Sequence, residues 1–146
     1  MDKKEFVQKI IKNNLYLSLS TCDGKNPWIA PVQYVVDNRY NFYFISAVDS
    51  LHGQHILKNP NVAFTIFDSR QPSGTGEGIQ VLGKASLIEK ANYPDVVIRY
   101  FDELKNIPIN LDKYAVFKIE PIKFYVPDTE AWKKEGVDKR IEVKMK

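Results

Sequence analysis

Cysteine is nearly absent from this 146-residue chain: Cys22 stands alone, which excludes an intrachain disulfide and any multi-cysteine metal site. Cys22 lies beside Asp23-Gly24 in an expected turn, with no histidine next to it, so nothing in the sequence marks its thiol as activated. Histidine is scarce too, with only His52 and His55. Their i, i+3 spacing puts them on one face of a helix. A stable metal site needs a third or fourth ligand, and none stands at a familiar spacing, so no metal is expected.

Long apolar runs are also missing. Nothing approaches the roughly 18 residues that read as a membrane span. Met1-Asp2-Lys3-Lys4-Glu5 is not followed by the apolar stretch of a signal peptide, and a cytoplasmic protein is the expectation. Net charge is only +3, too little to imply nucleic acid. The loop Asp68–Gly78 holds three of the seven glycines but lacks the Gly-Lys-Ser/Thr ending of a nucleotide P-loop. No serine–histidine–acid arrangement is readable, because triads are spatial, and the Asp and Glu residues fall mainly in turns and on exposed helix positions. A chain this poor in catalysts of its own needs a cofactor if it is to do difficult chemistry.

What is present is a sequence of hairpins. Asp2 to Asn14 reads as a helix, with Asp2 and Glu5 spaced as a capping pair and Phe6, Val7, Ile10 and Ile11 forming an apolar stripe. Alternation over Tyr16–Thr21 predicts a half-buried strand, and Asp23-Gly24 supplies hairpin chemistry. Strands follow over Trp28–Val36, Tyr40–Ser46, Val62–Phe67 and Ile79–Glu89, then a helix over Tyr93–Lys105. Tyr114–Ile119 and Lys123–Val126 read as two last strands around Glu120-Pro121. Aromatic residues make up 12% of the chain and concentrate in these runs, as β-structure favours. The pattern predicts a mainly β protein: a single domain over 1–146, an antiparallel barrel of six to seven strands with flanking helices. Residues 127–146 form a C-terminal extension. Its basic residues Lys133, Lys134, Lys139, Arg140, Lys144 and Lys146 read as a solvated tail, with a contribution to an anion site as the sharper alternative.

The segment most suited to a ligand is Ser50–Ala63. A polar turn leads into about two helical turns, which Asn59-Pro60 stop for steric reasons. Amides at such a helix start favour anions, and a phosphate is the natural guest for Ser50 and His52.

The pattern Trp28-Ile29-Ala30-Pro31-Val32-Gln33-Tyr34-Val35-Val36-Asp37, then Phe42–Ser46, Ser50-Leu51-His52 and Asn59-Pro60-Asn61-Val62, resembles the pyridoxamine 5′-phosphate oxidase-like flavoproteins. Gly78-Ile79-Gln80-Val81-Leu82-Gly83-Lys84-Ala85 resembles a later strand of the same family. The likeness covers about residues 5–126 and is nearest to small bacterial members. It implies a Greek-key split barrel, a homodimer, and FMN at the subunit interface. Ala30, Pro31, Val32 and Gln33 would then lie along the flavin ring. Ser46, Ser50 and His52 would approach the ribityl chain and phosphate, and Gln80 the ring or its edge, from either subunit. Trp132 would cover a ring face, with Lys139 and Arg140 near an anionic group. The family's oxidases carry Arg and Lys where this chain has Ile29, Tyr34, Leu51 and His52, so the basic phosphate clamp is mostly missing. The substrate-binding Arg/His pattern is likewise unmatched at Asp138-Lys139-Arg140-Ile141, and vitamin B6 oxidation is not expected. The implied function is FMN-dependent oxidation or reduction of a small molecule. The alternatives are a flavin or haem carrier or sensor, with His52 or His55 as a haem ligand, and a cofactor-free interaction dimer.

Overall fold

A computed structural model describes residues 1–146. The first helix, α1 (Lys3–Lys12), starts where expected: Asp2 Oδ1 accepts from the Glu5 amide at 2.8 Å. Val7 and Ile11 on its apolar stripe are buried, with Phe6 and Ile10 packed beside them. Strands β1 (Tyr16–Cys22) and β2 (Pro27–Gln33) form the hairpin that Asp23-Gly24 predicts, with Leu19 opposite Ala30. The turn is held by the Asp23 carboxylate, which accepts from the Lys25 and Asn26 amides. Two residues further, β3 (Val35–Val36) pairs with β4 (Phe42–Ala47). Helix α2 (Leu51–Lys58), β5 (Asn61–Ile66), β6 (Ile79–Ile88), α3 (Asp95–Leu104), β7 (Tyr114–Pro127), α4 (Thr129–Glu135) and β8 (Arg140–Val143) complete the chain.

All strands belong to one antiparallel sheet, in the order β2-β1-β5-β6-β7-β4-β3, with β8 added to β7. The two ends of that order, β2 and β3, are consecutive pieces of chain separated only by Tyr34. The sheet therefore curls round on itself as a split barrel. Full or near closure removes unpaired edges. The inward faces of the strands supply Leu17, Leu19, Phe42, Phe44, Ile66, Ile79, Val81, Phe117 and Ile119, and α1 closes one opening with Val7 and Ile11. No helix is long and apolar enough to cross a membrane.

Tyr34 marks the bend. Its ring packs edge-on against Phe42, and its hydroxyl reaches the Ile11 carbonyl at 2.6 Å and the Asn14 carbonyl at 3.0 Å. Burial pushes this phenol up to about 12. Its single proton is thus shared between the Ile11 carbonyl, one of those an α-helix leaves without an internal partner in its last turn, and the Asn14 carbonyl just beyond the helix. Tyr34→Phe is expected to lower stability by about 1–2 kcal/mol, the cost of stranding buried acceptors; urea unfolding measures it.

Besides the break at Tyr34, which divides the single strand expected over Trp28–Val36 into β2 and β3, two expectations need correction. The last two strands are one strand, β7, which continues through Glu120-Pro121. The break predicted from proline is absorbed by a bulge: Leu82 faces Lys123 and Gly83 faces Pro121, leaving Ile122 as the extra residue. Proline is tolerated at such an irregularity because no ladder donor is needed there. Gly83 is what lets the strands approach, since a Cβ there would lie 2.8 Å from Ile119 Cγ2 and 2.9 Å from the Glu120 carbonyl oxygen. Secondly, the C-terminal segment is folded and is no solvated tail. Asp128 caps α4 by accepting from the Ala131 amide, Gly136 ends it at φ 66°, and β8 pairs Val143 with Phe124. Val143 and Met145 enter the core. The charged residues that dominate the composition of this segment mask its two apolar anchors.

Candidate functional site

The end of β4 and the start of α2 form a compact polar group. Ser46, buried on β4, shares a hydrogen bond with His52 Nε2 at 2.5 Å. Ser50 is the N-cap of α2, its hydroxyl oxygen accepting from the Gly53 amide at 3.2 Å. This leaves the Leu51 and His52 amides as open donors at the helix start. Gly53 brings the helix against the barrel: a Cβ there would meet Phe117 Cζ at 3.1 Å and Ser50 Oγ at 2.8 Å. Phe117 in turn stacks on Phe44, whose ring faces that of His52 at 6.0 Å. Burial pulls the His52 imidazole below its ordinary value, with His55 adding to the effect. At neutral pH the ring is therefore neutral, and its polarity is that of a hydrogen-bonding group. The histidines separate: His55 is buried, with Nδ1 on Thr21 Oγ1 at 3.0 Å. Neither β4 nor the first turn of α2 carries Lys or Arg.

A second group lies on the outer face of the sheet. A cavity of about 500 Å³ is lined by Ser18, Ser20, Ile29, Thr65, Gln80 and Arg140, among others. The outward positions of β1 supply the serines, since Leu17 and Leu19 alternate with them into the core. Arg140 comes from β8 and donates from Nε to Gln80 Oε1 at 2.8 Å. It also borders a smaller cavity, about 250 Å³, with Trp132 of α4 and Gly74-Thr75-Gly76 of the loop after β5. That loop is knotted around Gln71, which accepts from Thr75 Oγ1 and the Glu77 amide and donates to the Asp68 and Glu77 carbonyls.

The predicted site residues thus fall into sets. Ser46, Ser50 and His52 are brought together, and Gln80 and Trp132 meet through Arg140. Within the chain these two sets are far apart: Ser46 faces Ala115 and Gln80 faces Tyr125, ten residues apart along β7. That is roughly 30 Å of strand path. On β2, Ala30 and Pro31 are at least partly exposed, but the Val32 side chain belongs to the core. Gln33 Oε1 accepts from the Tyr100 hydroxyl of α3 at 3.0 Å. Sequence reasoning missed the Arg140–Gln80 contact, which spans sixty residues and leaves no local signal. The outward serines were legible in the alternation of β1.

A family model described as pyridoxamine 5′-phosphate oxidase matches residues 4–126. The chain belongs to the pyridoxamine 5′-phosphate oxidase family. The match spans β1 to the end of β7 nearly entire and stops before α4 and β8, so Trp132 and Arg140 lie outside it. Solved structures share the family fold. General stress protein 26 from Bacillus anthracis str. Sterne is 22% identical, covers 98% of this chain and 100% of its own, and has a TM-score of 0.70. HutZ, a haem storage protein from Vibrio cholerae, is 14% identical over 86% of this chain and 95% of its own, with a TM-score of 0.71. An FAD-binding protein from Mesorhizobium loti is 17% identical over 85% of this chain and 92% of its own, at a TM-score of 0.60. No curated protein matches the chain by sequence.

Proposed function

We propose that this chain binds FMN between two copies of itself and uses it in the oxidation or reduction of a small molecule. The observation that carries this reading is the pair of polar groups at opposite ends of β7, Ser46–Ser50–His52 at one end and Gln80–Arg140 at the other, which a second copy of the chain would bring to one ligand. Membership of the family and the FAD-binding neighbour support a flavin as the guest.

The residues present fit FMN by their donor chemistry. Ser50 keeps its hydroxyl proton free while its oxygen caps α2, and the Leu51 and His52 amides point the same dipole outward. They offer a phosphate hydrogen bonds without a formal positive charge. In one protomer Ser46, Ser50 and His52 hold this end, and in the partner the Gln80 carboxamide and the stretch of β2 at Ala30 and Pro31, with Pro31 on its outward face, border the ring. Trp132 stands beside Arg140 as an apolar wall for whatever small molecule approaches. When bound, the flavin supplies hydride and single-electron chemistry that no side chain here offers. The protein's work is to hold the phosphate end and present acceptors and donors to the ring. The haem of HutZ is the second reading, and the histidines support it less: His55 is buried with Nδ1 on Thr21, and His52 shares Nε2 with Ser46, which leaves only its Nδ1.

Absorption of the freshly purified protein decides between these readings. Flavin bands near their usual positions, or their appearance with quenched fluorescence on adding FMN at micromolar concentration, are expected. A Soret band instead favours haem, and neither response to either cofactor leaves the interaction dimer.

A further inference from the structure

Side-chain amides are ordinarily ambiguous in orientation, because oxygen and nitrogen look alike. At Gln80 the ambiguity is removed by its partner. Arg140 Nε lies 2.8 Å from the carboxamide, and a guanidinium has only donors, so the atom facing it must be the oxygen. Both Nε2 hydrogens are then turned away from Arg140, and no other side chain or backbone group takes them. The guanidinium is itself anchored from the opposite side, Nη1 donating to the Asp138 carboxylate and to the Lys139 carbonyl. Its backbone is fixed by β8, where Arg140 pairs with Pro127. Arg140 also lies where three cavities adjoin, of about 500, 250 and 200 Å³.

We propose that Arg140 is a positioning residue that locks the Gln80 carboxamide as a two-proton donor at the wall of the larger cavity, so that this wall selects a planar ligand presenting a carbonyl or ring-nitrogen acceptor. That the ligand is a flavin, meeting Gln80 through its pyrimidine edge, rests on the function proposed above; the locked orientation of Gln80 does not. A free carboxamide at an exposed position offers oxygen and nitrogen equally. The guanidinium removes half of those states before the ligand arrives, which is preorganisation.

Two measurements test this. In the cofactor-free protein, side-chain amide relaxation of Gln80 is expected to report a restricted group in the wild type and in Arg140→Lys, which keeps a donor. In Arg140→Met, which keeps most of the stem and loses the donor, the amide is expected to become mobile. Equal order in wild type and Arg140→Met overturns the proposal. In the second measurement, FMN titration, Arg140→Met is expected to weaken binding about fivefold, in keeping with a partly exposed charge-assisted bond. It should also alter the shape of the bound-flavin absorption, with Arg140→Lys restoring both. Against a Gln80→Ala background the same substitution is expected to change nothing, since Arg140 acts through Gln80. A full effect in that background overturns the proposal by making Arg140 a direct ligand. Melting curves for each variant separate unfolding from either result. Failure of the wild type to take FMN sinks the flavin reading alone, while the relaxation measurement still decides the orientation of Gln80.

Discussion

Replacing Ser50 and His52 together by alanine is expected to weaken FMN binding at least tenfold. Each side chain can offer an anion one proton, Ser50 from its hydroxyl and neutral His52 from Nδ1 when Ser46 donates to Nε2, and a hydrogen bond to a charged acceptor contributes about 1.5–3 kcal/mol. The two are neighbours, so their effects do not simply add; even one such bond exceeds the roughly 1.4 kcal/mol that makes a factor of ten. Ser50 has a second task, capping α2 through the Gly53 amide, and loss of a cap costs about 1 kcal/mol of stability. Ser50→Asp separates the two tasks. An aspartate caps as well as a serine but sets a negative charge where the phosphate is to sit. FMN binding should then fall steeply, while riboflavin, which has no phosphate, should bind as it does to the wild type. Unchanged FMN titrations in a folded double variant, or equal losses for FMN and riboflavin in Ser50→Asp, place the phosphate elsewhere.

The parts of the fold legible in the sequence are those set by local chemistry. The Asp2 cap and the stripe of Phe6, Val7, Ile10 and Ile11 encode α1, and Asp23-Gly24 encodes its hairpin. Ser50 and Asn59-Pro60 likewise bracket α2, so the Ser46–His52 cradle was half visible in advance. What was hidden depends on partners distant in sequence. Pro121 looks like a strand break until Gly83 is seen opposite it, and the tail looks solvated until Val143 and Met145 are seen against Phe124 and the core. The resemblance sets Val32 along a ligand, and alternation with the exposed Pro31 turns its side chain inward, which leaves its backbone for that role. Arg140 reads in the sequence as one charge of a basic segment, but its bond to Gln80 requires β8 to lie on β7, which no short-range pattern announces.

The largest effect expected from a single substitution concerns assembly. Ile29 on β2 and Leu82 on β6 remain 62% and 46% exposed, share the outer face of the sheet and together line the cavity that holds Gln80. Contiguous apolar surface of this kind marks an interface. A two-fold pair of identical chains is the commonest way to cover it, and the function proposed above requires that pair to set the α2 cradle of one protomer against the Gln80 wall of the other. Sedimentation at micromolar concentration should therefore give the mass of two chains. Ile29→Lys, which places a charge in the middle of the patch without touching the core, should shift the protein to a monomer with an unchanged melting profile in its barrel. If each half-site needs the other, FMN binding should disappear with the dimer even though Ser46, Ser50, His52 and Gln80 are all intact. A monomeric wild type overturns the interface reading. A monomeric Ile29→Lys variant that still binds FMN with full affinity confines the cofactor to one chain, and the Ser46–His52 and Gln80–Arg140 groups would then serve different ligands.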